Sequence, residues 1–583
     1  MAKTSSSTDN KLLRVASSKA PDYFYQRFDL GGAIINPNWP RITTEESVKD
    51  FKPRDTGLKL LLINPPIREW SYPNIMPIGQ GYVASVATMD GHRVSVLDLN
   101  AARARPIDDK TAAEVSAWVE EMVTGSLAGG KPDVIGIGGI ITQYGRIKQV
   151  VSICKRVYPD VPVVLGGGIS SSMPEFMVQR LGVDIAVQGE GEVTSSELFH
   201  RLEIGQPLDG MKGIVFRKQT GPGEWAVQNN GIRPSIQSLA RGLDSLPWPL
   251  RSGWPLDDVY RINPVGHLNW ATKWKDGASV DAGQFCESMI ASRGCPYAVS
   301  ACDYCYAAYL GPEYRLRSPS EVVDEMQFMK ERYGLAYIHF LDDLMLTDFR
   351  WNLEFCGELR ARRERDGFEI TWGGTCRTNI VAAEVLRAKA ENRPNFLEQA
   401  YDVGMRQVGY GIESASQTIL TSIDKSGQTP ERIAIAVKET QRIFGYADCS
   451  FMIGSPGESR KTVEETVEVC KQIGLNPEVF FFTTAYPATK FWDLALEKGL
   501  IRKAVTGEKG EADDDIIEEY FLRLGEQGEA IRTNFSDLTD EEVLELSWWA
   551  IDELGAQNTI RHPHTGEEQP RKPAVRGSAR ADL

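Results

Sequence analysis

The sequence lacks the long apolar runs of a membrane protein and the excess of positive charge typical of nucleic-acid-binding proteins. No stretch of about 18 apolar residues occurs, and the polar first ten residues contain no signal-peptide core. The 583 residues include 65 Lys and Arg against 80 Asp and Glu, a net charge of −15. Because phosphate backbones are bound by basic surfaces, this balance argues against a nucleic-acid partner. We expect a soluble, cytoplasmic protein without a membrane span.

Cysteines are also few, and their spacing excludes a secreted, disulfide-rich framework. There are nine, an odd number, and six of them are scattered singly through apolar segments. Scattered cysteines of this kind fit a reducing compartment, in which they are small buried hydrophobic residues. His562 and His564 lie in a C-terminal stretch rich in Pro, Arg, Gly and Ser, so we expect surface residues there and not metal ligands.

The composition is that of an ordinary globular protein, with 42% hydrophobic and 25% charged residues, and the length predicts about three or four domains. Two alternations of β-type and helical patterns divide the chain. We predict an N-terminal arm (1–56), a doubly wound α/β domain (57–205), a linker (206–285), a second α/β domain (286–500), a helical C-terminal region (501–559) and a disordered tail (560–583). In the C-terminal region, Leu538–Leu554 reads as an amphipathic helix with Thr539 and Asp540 near its start, and we expect it to pack on the second domain.

In the first α/β domain, five continuous apolar runs predict a parallel sheet covered on both faces by helices. The runs are Leu58–Ile63, Arg93–Leu97, Val134–Gly138, Val161–Leu165 and Asp184–Val187, separated by helical stretches at Gly81–Met89, Thr111–Val123, Ile147–Val157 and Pro174–Arg180. Ligands of such sheets bind beyond the carboxyl ends of the strands. Glycine and small hydroxyl residues at four of the five ends would let a ligand approach the backbone closely. Ordinary turns favour the same residues, so both interpretations stay open here.

The second domain opens with a distinctive cysteine motif. Cys295, Cys302 and Cys305 form a C-x6-C-x2-C run just after the apolar segment Ser288–Ser292. Three thiols this close on a loop leaving a strand can hold three irons of a [4Fe–4S] cluster and leave the fourth iron open. The alternative is a structural zinc site, which needs four ligands. No Cys or His follows Cys305 until His339, which lies in an apolar run.

Five further apolar segments follow at the spacing of β/α units, and polar or Gly-rich motifs come after each. The segments are Tyr337–Leu341, Ile370–Gly373, Gln407–Tyr410, Cys449–Ile453 and Val479–Thr483, with helical patterns such as Pro319–Tyr333, Trp351–Asp366 and Pro430–Phe444 between them. Reactive groups of β/α barrels lie at the carboxyl ends of strands. Asp342 and Asp343 occupy the second end, where their carboxylates could bind an amino group of a ligand or could equally cap the following helix. Arg377 occupies the third end and could hold a carboxylate bidentately.

Taken in order, these motifs resemble those of radical S-adenosylmethionine (SAM) enzymes. Gly409–Ser416, followed by Leu420, matches G-I-E-S-x-S-x-x-x-L, Phe451–Glu458 matches F-M-x-G-x-P-G-E, and Thr484–Thr489 resembles a Y-P-x-T turn. The resemblance implies a partial (β/α)6 barrel, a [4Fe–4S] cluster on the three cysteines, and SAM bound by nine residues. These are Tyr304, Asp342, Asp343, Arg377, Glu413, Ser414, Ser416, Gly454 and Pro456. The family spacing is CxxxCxxC, so we interpret Ala298–Ala301 as a local bulge. Cys286, placed before the strand, would reach the cluster only awkwardly.

The first α/β domain resembles the cobalamin-binding domain that precedes some radical SAM barrels. Residues 58–195 carry, in order, N-P-P, P-I-G-Q-G-Y, G-H-R-V-x-V-L-D, G-G-x-x-T, G-G-G and G-E-G-E. The resemblance implies that cobalamin is bound by Asn64, Pro77, Gly79, Gly139, Thr142, Gly167, Gly168, Ser170, Gly189 and Glu190. The D-x-H-x-x-G signature of a lower-axial histidine is absent, so we expect cobalamin to be bound base-off, without histidine ligation.

Together the two resemblances imply a cobalamin-dependent radical SAM methyltransferase. It would methylate an unactivated carbon of a small-molecule biosynthetic intermediate through methylcobalamin and a 5′-deoxyadenosyl radical. A flavodoxin or ferredoxin would supply electrons. Ring contraction or cyclisation without methyl transfer is an alternative. A tRNA methylthiotransferase is disfavoured by the acidic charge and by a single cysteine, Cys154, in the N-terminal domain, and a non-catalytic cobalamin sensor would not need Glu413. The sequence identifies neither the substrate nor any catalytic residue beyond the cofactor sites.

Overall fold

The computed structural model describes most of the chain as two compact units. The described residues are 26–27, 34–35, 53–67, 75–102, 112–236, 241–260, 285–298, 302–306, 313–477, 479–524, 531–555, 559–561 and 568–570. One unit comprises residues 1–73 and 77–256, and the other comprises residues 74–76 and 257–583. Most of the predicted N-terminal arm, residues 261–284 of the predicted linker, and His562 and His564 lie outside the described residues.

The first unit is built on a seven-stranded sheet. Its strands are β1 (Lys59–Asn64), β2 (Arg93–Asp98), β3 (Val134–Gly138), β4 (Val163–Gly166), β5 (Ile185–Val187), β6 (Ile214–Gly221) and β7 (Glu224–Asn229). They lie in the order β2-β1-β3-β4-β5-β6-β7. The five predicted strands pair in parallel, whereas β6 and β7 are antiparallel.

The prediction of five strands, with a linker from residue 206, was therefore wrong for residues 214–229. Ile214 and Phe216 alternate into the same core as Val134, Ile185 and Leu198, because successive side chains of a strand point to opposite faces. The hairpin thus extends the sheet beyond β5 and does not connect separate domains. Trp225 on β7 is exposed, and the Arg217 guanidinium stacks on its ring at 3.9 Å.

Helices cover this sheet between the parallel strands. They are α1 (Ile78–Met89), α2 (Leu99–Ala102), α3 (Ala112–Ala128), α4 (Tyr144–Val157), α5 (Gly168–Ser172), α6 (Pro174–Arg180) and α7 (Gly191–Ile204). Because both faces are covered, β1 reads as a continuous apolar run, and five of its six residues are buried.

The second unit is built on a six-stranded sheet in which every strand is parallel to its neighbours. The strands are β8 (Phe285–Met289), β9 (Leu335–Phe340), β10 (Thr371–Cys376), β11 (Met405–Glu413), β12 (Asp448–Ile453) and β13 (Phe480–Phe482), and they lie in chain order. β8 begins three residues earlier than the apolar pattern predicted. Cys286 therefore lies buried inside the strand and not in front of it.

Helices follow the strands of this unit, as a (β/α)6 half-barrel requires. They are α8 (Pro319–Tyr333), α9 (Phe349–Asp366), α10 (Thr378–Ala390), α11 (Phe396–Asp402), α12 (Gln417–Ser422), α13 (Pro430–Phe444), α14 (Arg460–Ile473), α15 (Lys490–Glu497), α16 (Leu500–Thr506), α17 (Asp514–Arg523) and α18 (Asp540–Glu553). Local sequence explains their ends: α13 has a Thr429 cap and Pro430 in its first turn, and it stops at Gly445 in the left-handed region. Among the described residues, no helix has both the length and the apolarity that crossing a bilayer requires.

The two faces of the six-stranded sheet differ in chemistry. On the face covered by helices, Trp372 is fully buried, and its ring meets Phe355 of α9 edge-on at 5.2 Å. On the same face, the hydroxyls of Tyr410 and Thr440 of α13 are 2.7 Å apart. The opposite face, here called the inner face, is polar and carries Tyr337, His339, Gln407, Asp448 and Ser450. The core of this unit therefore lies between the sheet and the helices.

Candidate functional site

The cysteine loop leaves the carboxyl end of β8. Two short antiparallel segments, Ser292–Arg293 and Arg315–Leu316, pair across its base. Within the loop, the Ala298 amide donates to the Cys295 carbonyl at 2.9 Å, and the Cys305 amide donates to the Cys302 carbonyl at 2.8 Å. All three cysteines are partly exposed. Five of the other six cysteines are buried, as expected for small hydrophobic residues.

The electrostatics of Cys295 show which groups surround the loop. Burial raises the pKa of the Cys295 thiol, and the nearby Asp343 and Cys302 raise the pKa further, whereas Arg377 lowers it. Among the described residues, no three His, Cys, Asp or Glu side chains converge on one point where a single ion could sit. A [4Fe–4S] cluster takes one thiolate per iron, so three partly exposed cysteines on one loop are suited to hold three of its irons.

Tyr304, within the cysteine motif, is partly buried and belongs to a hydrogen-bonded triad whose other two members, Glu413 and Lys425, are buried. Its hydroxyl donates to Glu413 Oε1 at 3.1 Å and accepts from Lys425 Nζ at 2.7 Å. Lys425 Nζ also pairs with Glu413 Oε1 at 2.8 Å. These three residues come from the cysteine loop, the end of β11 and the turn after α12. The triad thus joins the cysteine loop, which follows β8, to the carboxyl end of β11.

Glu413 is held in an unusual backbone conformation. Its φ is +65°, in the left-handed region that non-glycine residues rarely adopt. A side chain at Gly411 would place its Cβ 2.5 Å from Glu413 Oε1, so glycine is needed there for the carboxylate to reach Lys425. Such strain persists only where neighbouring contacts fix it, and the triad supplies them.

Asp342, predicted to bind SAM or to cap a helix, has other partners. Its two carboxylate oxygens accept from the Ala291 amide at 3.1 Å each, and it also accepts from the Ser292 hydroxyl. Burial raises the pKa of Asp342 to about 6, although these hydrogen bonds oppose the shift. The cap of the following helix, α9, is Asp348. Asp342 therefore fastens the start of the cysteine loop, while the adjacent Asp343 is exposed.

Arg377, predicted to hold a carboxylate, stacks on the ring of Tyr297 in the cysteine loop. Its guanidinium carbon lies 3.8 Å from the ring centroid, and Nη2 donates to the Ser426 carbonyl at 2.9 Å. Asn379 Nδ2 donates to the Tyr297 hydroxyl at 2.9 Å. Sequence reasoning missed Tyr297 and Asn379, because no motif links residues 82 positions apart.

Ser414 and Ser416 are buried, and their hydroxyls bond to helix α14. Ser414 Oγ lies 3.1 Å from Thr466 Oγ1, and Ser416 Oγ donates to Glu465 Oε2 at 2.5 Å. In the next strand-end loop, the Glu458 carboxylate accepts from the amides of Gly454 and Ser455 at 2.5 and 2.9 Å. Burial raises the pKa of Glu458 to about 7. These contacts fix the shape of the loops predicted to hold SAM.

The C-terminal region packs on the loops after β12 and β13. The Phe535 amide donates to the Gly454 carbonyl, and the Ala485 amide donates to Thr533 Oγ1, both at 2.9 Å. The Pro456 carbonyl accepts from the Ser422 hydroxyl at 2.8 Å. The predicted site residues Gly454 and Pro456 thus lie in a loop fastened from two sides.

The inner face of the sheet carries a chain of hydrogen bonds. Tyr337 Oη donates to Gln407 Oε1 at 2.8 Å and lies 3.1 Å from His339 Nδ1, and Gln407 Nε2 donates to Asp448 Oδ2 at 3.3 Å. Burial lowers the pKa of His339 to about 4, so its imidazole is neutral. The inner faces of closed barrels are filled mainly by branched apolar residues. A polar inner face that also includes Gly409 is suited to hydrogen-bonding a polar ligand.

In the first unit, the predicted cobalamin residues lie at the carboxyl ends of the parallel strands or in the first turns of the helices that follow. Asn64 Nδ2 donates to Asp98 Oδ1 at 2.9 Å, which joins the ends of β1 and β2. The other residues of this set are Pro77, Gly79, Gly139, Thr142, Gly167, Gly168, Ser170, Gly189 and Glu190. A Cβ added at Gly79 or Gly189 would meet no atom within 4 Å. A Cβ at Gly139 or Gly167, by contrast, would meet a neighbouring atom at 2.6 Å. Bare backbone with open space at Gly79 and Gly189 fits the close approach of a large planar cofactor.

Two of these residues already have protein partners. Glu190 Oε2 accepts from the Ile236 amide at 2.8 Å, and the Ser170 hydroxyl donates to the Val187 carbonyl. Beside them, the Gly189 amide donates to the Ser171 hydroxyl at 3.0 Å. Ile140, which sequence reasoning did not single out, is 44% exposed at the same edge. An exposed isoleucine among glycines gives this edge an apolar contact surface. The Asp90-Gly-His92 sequence lies at the opposite end of β2, where His92 Nδ1 accepts from the Leu58 amide at 3.1 Å.

Comparisons with known proteins agree with this arrangement. Residues 71–199 match the family model of the B12 binding domain, and residues 289–470 match that of the Radical SAM superfamily. The uncharacterized methyltransferase PH0819 of Pyrococcus horikoshii is 29% identical over 452 residues, which cover 76% of this chain and 84% of that protein. The anaerobic magnesium-protoporphyrin IX monomethyl ester cyclase of Rubrivivax gelatinosus is 23% identical over 421 residues, which cover 71% of this chain and 67% of that protein.

A solved structure shares the fold. It is that of the radical SAM methyltransferase TsrM from Kitasatospora setae with cobalamin and a [4Fe–4S] cluster bound. The TM-score is 0.57 at 18% identity, over 86% of this chain and 88% of that one. The B12-binding and radical SAM domains occur in the same order as the two predicted cofactor sites. The chain therefore belongs to the cobalamin-dependent radical SAM enzymes.

Proposed function

We propose that this enzyme methylates an unactivated carbon of a small-molecule biosynthetic intermediate. The observation that carries the proposal is the convergence of strand ends in the second unit. Because β8–β13 are parallel and lie in chain order, their carboxyl ends bring the cysteine loop, Glu413 and the Gly454 loop to one edge of the sheet. The similarity to a methyltransferase over three quarters of the chain also favours methyl transfer.

When bound, cobalamin supplies a transferable methyl group, and SAM on a reduced cluster supplies a radical that removes a hydrogen atom from the substrate. The residues of the chain have the tasks of binding, orienting and excluding water. Cys295, Cys302 and Cys305 would hold the cluster as thiolates. Tyr304, within the same motif, is fixed by Glu413 and Lys425, so this side of the site is rigid before SAM binds.

The inner face of the sheet is the proposed substrate surface. Gln407, Asp448 and His339 place amide, carboxylate and neutral imidazole groups on this face. Such groups recognise a polar small molecule by hydrogen bonds to hydroxyl or amino groups. A flavodoxin or ferredoxin is the proposed electron donor.

The test is anaerobic reconstitution of the purified protein with iron, sulfide and cobalamin, followed by SAM and a strong reductant. We expect both S-adenosylhomocysteine, from methyl transfer, and 5′-deoxyadenosine, from reductive cleavage. Cys302→Ala should abolish 5′-deoxyadenosine formation, whereas Cys154→Ala is the matched control, because Cys154 is buried in the first unit. A loaded wild-type protein that forms neither product would refute the proposal.

A second candidate is cyclisation or ring rearrangement without methyl transfer. The similarity to the anaerobic cyclase of Rubrivivax gelatinosus favours it. The same experiment separates the two candidates, because an enzyme that transfers no methyl group would form 5′-deoxyadenosine without S-adenosylhomocysteine.

A further inference from the structure

The first half of the cysteine loop is fastened to the end of β10. Tyr297 follows Cys295 by two residues, and the Ala298 amide closes a turn back onto the Cys295 carbonyl. The Tyr297 ring lies against the Arg377 guanidinium at 3.8 Å, and its hydroxyl accepts from Asn379 at 2.9 Å. Arg377 occupies the position just before α10, and Asn379 lies in the first turn of that helix. One aromatic side chain is therefore held on its face and at its hydroxyl.

The second half of the loop has a separate attachment. The Asp303 amide donates to the Ile423 carbonyl at 3.1 Å, and Tyr304 accepts from Lys425 at 2.7 Å. The turn that supplies these partners also supplies the Ser426 carbonyl, which accepts from Arg377 at 2.9 Å. The turn 423–426 thus contacts the second half directly and the first half through Arg377.

Two buried polar atoms beside Tyr297 fit a group bound at this place. Arg377 Nε and Asn379 Oδ1 are buried, and neither has a hydrogen-bond partner within the described part of the chain. Buried donors and acceptors are normally paired, because leaving one unpaired is costly. The Arg377 guanidinium lies 3.8 Å from the ring of Tyr297, which follows Cys295 by two residues. A cluster held by Cys295 would therefore lie close to this cation.

We propose that Arg377 is a positioning residue for the cluster, acting through its stack on Tyr297 and its bond to Ser426 to fix the half of the loop that carries Cys295. This inference rests on the proposed ligand role of the three cysteines. It differs from the prediction that Arg377 holds the SAM carboxylate. The connection between the two halves, residues 299–301 of the predicted bulge Ala298–Ala301, lies outside the described residues.

The experiment compares full-length, anaerobically reconstituted proteins in the absence of SAM. Arg377→Lys keeps the charge but removes the planar stack, and Tyr297→Leu removes the ring. Tyr297→Phe keeps the ring and removes only the bond to Asn379. The matched control is Arg406→Lys, because Arg406 also stacks on a tyrosine, Tyr401 at 4.5 Å, and donates to backbone carbonyls, but at the opposite end of β11.

The readouts are the rate of iron loss to a chelator and the electron paramagnetic resonance (EPR) spectrum of the reduced cluster. We expect Arg377→Lys and Tyr297→Leu to lose iron roughly 10- to 100-fold faster than the wild type, as residues supporting a metal ligand do. Both should show an altered EPR spectrum, while Tyr297→Phe should change less and Arg406→Lys should match the wild type. If Arg377→Lys does not fold, Tyr297→Leu decides.

The inference is overturned if Arg377→Lys and Tyr297→Leu keep the wild-type rate and spectrum without SAM. Weaker SAM binding by Arg377→Lys alone would then place Arg377 against SAM. A wild-type protein that takes up no iron would overturn the proposed function and this inference together. A wild type that binds iron but forms neither SAM product would overturn the proposed function only.

Discussion

Replacing Lys425 by Met should locally unfold the end of β11, because it strands a buried carboxylate. The side chains of Lys425 and Glu413 are only 6% and 10% exposed. Removing one partner of a buried ion pair costs about 3–5 kcal/mol, since the other charge stays desolvated without its counter-charge. Tyr304 can still donate to Glu413, but a neutral hydroxyl compensates for only about 1 kcal/mol of that loss.

The measurement is amide hydrogen exchange of peptides that cover residues 405–428. The chain has two compact units, so global unfolding need not be a single transition, and exchange reports on this segment alone. A destabilisation of this size accelerates exchange roughly 100-fold or more. Cobalamin binding by the first unit should be unchanged.

The matched control is Lys461→Met. Lys461 is 84% exposed and lies 3.9 Å from Glu465, so the loss of this pair should cost about 0–1 kcal/mol. The double variant Lys425→Met/Glu413→Gln should exchange more slowly than Lys425→Met, because the unpaired charge is gone. If Lys425→Met exchanged no faster than Lys461→Met, the triad would not hold this strand end.

Three further outcomes follow from burial and charge. Burial holds the pKa of Glu458 at about 7, above that of an unfolded glutamate, so the stability that depends on its protonated form is present below pH 4.5 and lost as the pH rises through 7. Between pH 4.5 and pH 7, Glu458→Gln should therefore gain about 3 kcal/mol of local stability over the wild type, read from hydrogen exchange of peptides that cover residues 451–470. Burial lowers the pKa of His92 to about 3, so the neutral imidazole opposes protonation and the folded state loses stability as the pH falls. Between pH 7 and pH 5 the wild type should lose about 2 kcal/mol more stability than His92→Asn, measured by hydrogen exchange of peptides that cover residues 58–97. An equal loss in both proteins would show that His92 does not contribute. Replacing Cys295, Cys302 and Cys305 together by Ala should abolish the brown iron–sulfur absorbance and leave cobalamin bound; iron retained by that variant would show that the ligands lie elsewhere.

Asp342 and Arg377 have partners in the structure that their sequence motifs did not indicate. Both were predicted as SAM ligands from their place after a strand. In the structure Asp342 accepts from Ala291 and Ser292, and Arg377 stacks on Tyr297. Both contacts hold the cysteine loop, so these strand-end residues support the loop that carries the proposed cluster ligands. Direct contacts of either residue with SAM stay predictions.

The sequence alone determined the order of strands and helices in both units and the motifs at their ends. Apolar runs, proline-initiated helices such as α8 and α13, and glycine stops are local signals, since each depends on residues a few positions apart. The motifs from Cys295 to Glu458 could be assigned to strand ends for the same reason. The hairpin β6–β7 was missed, because an antiparallel extension of a parallel sheet has no signal in the β/α alternation.

Only the tertiary structure decided which side chains meet. Tyr304 and Glu413 are 109 positions apart, and Tyr297 and Asn379 are 82 apart. Their contacts arise because parallel strands bring distant chain segments to one sheet edge, where burial and charge pairing then select partners. The spacing of the cysteines indicated a cluster, but the sequence could not show how the loop is held. That depends on Arg377 and on the turn 423–426, which contains Lys425, and folding alone brings them to the loop.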